Sequence, residues 1–64
     1  MKTIKELRSE GKICTRTYNL LRRIVGWEVD EMTIEDLFDR YDEDKMMRWT
    51  NMGPKTMEEL KGLL

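Results

Sequence analysis

Histidine is absent from this chain, cysteine and proline occur once each, and no apolar run is long. With one cysteine the chain cannot form a disulfide within itself. Without histidine and with a single thiol it cannot build an ordinary zinc site. No stretch approaches the roughly 18 apolar residues of a membrane span, and no secretory hydrophobic region is present. These absences point to a reducing, cytoplasmic setting with no metal and no cofactor. In 64 residues there is room for one small domain with a thin core, and little for an enclosed active site. An enzyme is therefore not expected.

What the chain has in quantity is charge, at 39% of residues, with a formal net charge of −1. That balance hides a segregation. Residues 1–23 carry seven basic side chains against Glu6 and Glu10. Residues 24–44 carry nine carboxylates against Arg40, and residues 45–64 carry four basic side chains against Glu58 and Glu59. A basic start and end around an acidic middle suggest one positive and one negative face.

The hydrophobic spacing is helical throughout, with no alternating strand pattern. Thr3-Ile4-Lys5-Glu6 has the form of a capping box and opens a first helix, which Gly11 ends in a left-handed conformation. Cys14 reads as a small buried hydrophobe. Thr15 is the candidate N-cap of a second helix, with Tyr18, Leu20, Leu21 and Ile24 or Val25 inward and Gly26 at its end. Arg16, Asn19 and Arg23 fall at i, i+3 and i+7, on the opposite, exposed face. Trp27 and Val29 are expected in the core. Thr33 opens a third helix carrying Ile34, Leu37 and Phe38, and Asp42 caps a fourth over Glu43–Trp49. A turn at Thr50–Gly53 leads to a last helix over Pro54–Leu64, with Met57, Leu60 and Leu63 or Leu64 inward. The expected fold is all-α: one domain, a compact bundle of four to five short helices.

Several chemical motifs fail on inspection. Gly53-Pro54-Lys55-Thr56 echoes the end of a P-loop, but Arg48 stands where the first glycine belongs and a helix precedes it. A calcium loop counted from Asp42 would need Gly at its sixth position and Glu at its twelfth; Met47 and Gly53 stand there. The pairs Glu35/Asp36 and Glu58/Glu59 are adjacent on helices and point in different directions. What survives is a helix, a short glycine-containing turn and a second helix starting at Pro54. Gly53 lets the turn bend and a partner approach. Proline suits the first helical position. The free N–H groups beside Lys55 and Thr56 form an anion site at the positive end of the helix dipole. This is a helix–hairpin–helix layout.

Cys14-Thr15-Arg16-Thr17-Tyr18-Asn19-Leu20-Leu21-Arg22 resembles the first long helix of the C-terminal domain of the bacterial RNA polymerase alpha subunit. Asn51-Met52-Gly53-Pro54-Lys55-Thr56-Met57-Glu58-Glu59-Leu60-Lys61 is similar to that family's N-[LF]-G-x-K-[ST]-[LM]-x-E-[IVL]-K segment. Thr3–Leu7 and Ile34–Leu37 resemble its flanking and middle segments, so the likeness spans nearly the whole chain. The connection from Arg23 to Thr33 is longer and more acidic than in typical members. Lys12 stands where the family has an acidic sigma-contacting patch, and Pro54 where a basic residue is common.

The resemblance implies a DNA-binding module of the transcription machinery, contacting the A·T-rich minor groove upstream of promoters. It would be either part of an alpha subunit or a stand-alone or phage-encoded copy, and nucleoid-associated. Implied partners are double-stranded DNA, RNA polymerase, sigma factor and activators. Arg16 would enter the groove with Asn19 beside it. Arg48 and Asn51 would flank the backbone, and Gly53, Lys55 and Thr56 would hold a phosphate. The alternative is a protein-interaction module that docks on polymerase or a regulator through its acidic middle, with Glu35, Asp36 and Asp39 as contacts.

Overall fold

A computed structural model describes residues 2–64. The described residues form α1 (Ile4–Ser9), α2 (Thr15–Val25), a 3₁₀ helix (Trp27–Glu31), α3 (Ile34–Arg40), α4 (Glu43–Met47) and α5 (Pro54–Lys61). The protein is all-α, as its periodicity requires. Among the described residues no strand forms, and the sole β-bridge joins Thr3 to Thr33.

That bridge ties two helix starts together. Both threonines are N-caps of reciprocal capping boxes, Thr3 with Glu6 and Thr33 with Asp36. Ile4 N–H donates to the Met32 carbonyl at 2.7 Å. The first residues of both helices, Ile4 and Ile34, are buried in the core. Each cap is worth about 1 kcal/mol, which matters in a domain whose whole stability is small. Asp42 caps α4 through Lys45 N–H.

The core gathers Ile4, Leu7, Ile13, Tyr18, Leu20, Leu21, Val29, Met32, Ile34, Leu37, Met46, Met52, Met57 and Leu60. Val25, Phe38, Tyr41, Trp49 and Leu63 pack against it. Every segment contributes, so no helix has an independent core. Four methionines lie in this set, and their flexible stems fill the irregular gaps between short helices.

Several boundaries and environments differ from expectation. α4 ends at Met47 and α5 at Lys61; Trp49 lies beyond α4 and packs edge-on against Tyr41. Leu64 follows the end of α5 and is exposed, while Leu63 is half-buried. Ile24 is exposed and Val25 packs inward. Trp27 is 76% exposed, not buried. A 3₁₀ helix has about three residues per turn, so Val29 and Met32 share the buried side and Trp27 falls off it. Its ring lies instead under the Arg22 guanidinium, 3.5 Å from the centroid.

Candidate nucleic-acid interface

The N-terminus of α2 is built differently from the sequence expectation. Its N-cap is Cys14, not Thr15, and Cys14 is exposed with no capping bond from its own side chain. The cap comes from α5. Cys14 N–H donates to Glu59 Oε2 at 3.1 Å, and the Thr17 hydroxyl donates to Glu59 Oε1 at 2.7 Å. Cys14 Sγ lies 3.8 Å from the same carboxylate. A carboxylate suits this place because a helix start carries free N–H donors and a positive dipole end. Glu59 therefore joins α2 to α5 at the level of Arg16. Thr17 is buried, and its hydroxyl has a partner. Among the described residues no buried side-chain polar atom lacks one.

The turn before α5 takes its sharp bend at Asn51, whose φ is 71°. Asparagine tolerates this left-handed region better than most residues. Met52, buried next to it, anchors the turn in the core. Gly53 is extended, with φ −119°, so the bend attributed to Gly53 belongs to Asn51. A side chain at Gly53 would meet nothing within 4 Å. Nothing inside the protein therefore calls for glycine there.

Gly53 is also the N-cap of α5, and no side chain caps that helix. Pro54 at its first position has no N–H to satisfy. Among the described residues no side chain accepts from the amides of Lys55 or Thr56. Thr3, Thr33, Asp42 and, from outside, Glu59 fill the corresponding place on the other four α-helices.

These parts meet along a run of grooves between α2 and the chain from Arg48 to Thr56. One groove is lined by Arg16, Asn19, Leu20, Arg23, Asn51 and Thr56. A second shares Arg16, Asn51 and Thr56 with it and adds Gly53, Pro54 and Lys55. A third shares Leu20 and Arg23 with the first and continues to Ile24, Arg48, Trp49 and Thr50. No carboxylate lines any of the three. Six of the expected DNA contacts, Arg16, Asn19, Asn51, Gly53, Lys55 and Thr56, are thus brought together, and Arg48 stands at one end.

The electrostatics sort the cations the same way. Among the described residues, Lys2 and Lys12 pair with Glu10, Arg40 with Glu28 and Lys61 with Glu43. Arg8 and Arg22 lie over Tyr18 and Trp27. Of the six basic side chains left without an ion pair or an aromatic partner, four line these grooves: Arg16, Arg23, Arg48 and Lys55.

The acidic middle is partly spent on its own structure. The Asp36 carboxylate accepts from Thr33 N–H, and Asp30 accepts from the Tyr18 hydroxyl. That bond to Asp30 holds the Tyr18 phenol above its ordinary pKa. Glu28 holds Arg40 and strengthens its protonated form. Glu35 and Asp39 are exposed. Among the described residues no group of histidine, cysteine, aspartate or glutamate is arranged to hold a metal ion. Among the described residues no helix is long and apolar enough to cross a membrane.

Two residues stand out that the sequence did not mark as part of a site. Arg23 was visible on the Arg16 stripe. Glu59 had no local signal, because its partners lie 42 and 45 residues away. In comparisons with known proteins, the chain matches no family model, no curated protein and no solved structure.

Proposed function

We propose that the chain is a DNA-binding module of the transcription machinery, of the helix–hairpin–helix type resembled by its sequence. It contacts the A·T-rich minor groove of duplex DNA through the run of grooves between α2 and the start of α5. The observation that carries this is the meeting of unpaired Arg16, Asn19, Lys55 and the uncapped α5 start on one carboxylate-free surface. A narrow A-tract groove concentrates negative potential and attracts arginine. Arg16 enters it, and Asn19, one turn along α2, reaches base edges or sugar. The Lys55 and Thr56 amides and the Lys55 ammonium take a backbone phosphate. Gly53 leaves room for that phosphate to come close.

The test is Arg16→Ala, measured on A·T-rich and G·C-rich duplexes. Arg16 is exposed and unpaired, so the fold should survive. Most binding and the A·T preference should go. A variant that binds like the parent would remove Arg16 from the interface.

A second function is supported by exposed Trp27 at the edge of the acidic stretch Glu28–Asp44: docking on a basic surface of polymerase or a regulator. Charge reversal at Glu35 and Asp39 should then abolish capture of polymerase and spare DNA. Asp36 is left unchanged in that test because it caps α3.

A further inference from the structure

The anion site at α5 and the Arg16 groove account for only part of the cationic surface. The third groove, beyond Arg23, has its own character. Its floor is apolar, made by Leu20, Ile24 and the half-buried Trp49. Arg23 and Arg48 line it, neither with an ion pair, and Thr50 adds a hydroxyl. Ile24 is one of the few large apolar side chains left exposed, at 36%. An apolar floor with two free guanidinium groups and no carboxylate suits an occupant that is anionic at regular points and presents C–H faces between them. A deoxyribose–phosphate strand has that chemistry.

The order of the grooves gives the geometry. The phosphate site at Lys55 and Thr56 lies at one end, Arg16 and Asn19 lie in the middle, and Arg23 and Arg48 lie at the other end. Arg16 and Arg23 are seven residues apart, so about 10 Å along the α2 axis. The minor groove is about 6 Å wide. An α2 that crosses the groove with Arg16 inside it therefore carries Arg23 to the far wall.

We infer that Arg23, Arg48, Ile24 and Trp49 form a second backbone seat, which holds the strand opposite the one bound at Lys55 and Thr56. The module then grips both walls of the minor groove with Arg16 between them. This inference rests on the DNA-binding function proposed above and adds which strand each end of the surface holds. It makes Arg23 and Arg48 responsible for affinity, and leaves base preference to Arg16 and Asn19.

Two measurements on the full chain separate the inference from the function it rests on. The first is the salt dependence of binding to an A·T-rich duplex, for the parent, Arg23→Ala, Arg48→Ala and the double variant. Each phosphate contact contributes about 0.9 to the slope of log K against log salt. Each single variant should flatten the slope by about 0.9 and the double variant by about 1.8, with A·T preference kept. The second is phosphate-ethylation interference. The parent should show interference on both strands, and the double variant on one strand only. Both arginines are exposed and unpaired, so thermal unfolding should not move. Unchanged slopes, or interference on one strand in the parent, overturn the second seat while DNA binding stands. A parent that binds neither an A·T-rich nor a G·C-rich duplex overturns the proposed function and the second seat together.

Discussion

The Thr17 hydroxyl donates to Glu59 across 42 residues of chain, at 2.7 Å. This bond and the one from Cys14 N–H fasten the start of α2, where Arg16 sits, to the middle of α5, whose first turn carries Lys55 and Thr56. The two halves of the candidate interface are held in register by one carboxylate.

Removing that carboxylate should therefore cost more than a surface substitution. Glu59→Ala removes the carboxylate that accepts from both the Cys14 amide and the buried Thr17 hydroxyl, at a cost of about 1–3 kcal/mol. In a domain this small each kcal/mol lowers the melting temperature by roughly 4–8 °C. A double-mutant cycle of Glu59→Ala with Thr17→Val, followed by thermal or urea unfolding, should show coupling of about 0.5–3 kcal/mol. Additive effects would mean that the Thr17–Glu59 bond contributes nothing of its own.

Gly53 separates stability from function. Its backbone is extended and its surroundings are open, so in Gly53→Ala the unfolded-chain gain of alanine is offset by its poorer standing at an N-cap, and the melting temperature should change little. Duplex affinity should fall, because the new methyl group would stand at the proposed phosphate contact. Full affinity in a stable Gly53→Ala protein would show that no ligand comes close at this point.

Trp27 and Met46 reverse the ranking that residue type alone suggests. Trp27→Ala should cost no more than about 1 kcal/mol, the worth of its stacking on Arg22. Met46, fully buried, should cost about 2–5 kcal/mol when cut to alanine. Chemical denaturation of the two variants checks the order. A larger loss at Trp27 would place its ring in the core.

These cases mark what was legible in the sequence. Thr3, Thr33, Asp42, Gly11 and Gly26 act on neighbours within a few residues, and their roles as caps and stops were readable from spacing. So was the exposed stripe of Arg16, Asn19 and Arg23. Trp27 was misplaced because a 3₁₀ turn changes the angular step per residue, and hydrophobicity does not report that change. Cys14 and Thr15 were misassigned because the true cap comes from another helix. The bend at Asn51 is assigned by sequence to Gly53, because glycine, two residues on, is the residue type that usually takes a left-handed conformation. The meeting of α2 with the turn before α5 depends on tertiary packing, which local periodicity does not encode.

The first capping box gives a pH dependence with a definite sign. Thr3 N–H and the Thr3 hydroxyl hold the Glu6 carboxylate below its ordinary pKa. A lowered folded-state pKa stabilises the protein above the unfolded value, and that stabilisation is lost as pH falls through the folded one. Unfolding curves from neutral to acid pH should show a smaller acid loss in Glu6→Gln than in the parent. Identical acid limbs would mean that the box does not respond to ionisation.

The central claim is that one surface of this protein holds the A·T-rich minor groove. An NMR titration of labelled protein with an A·T-rich and a G·C-rich duplex, at two salt concentrations, tests it most directly. Amide shifts should cluster at Arg16, Asn19, Asn51, Gly53 and Lys55, be larger for the A·T-rich duplex and weaken with salt. Silence on both duplexes at low salt, or shifts confined to the acidic stretch Glu28–Asp44, would contradict it.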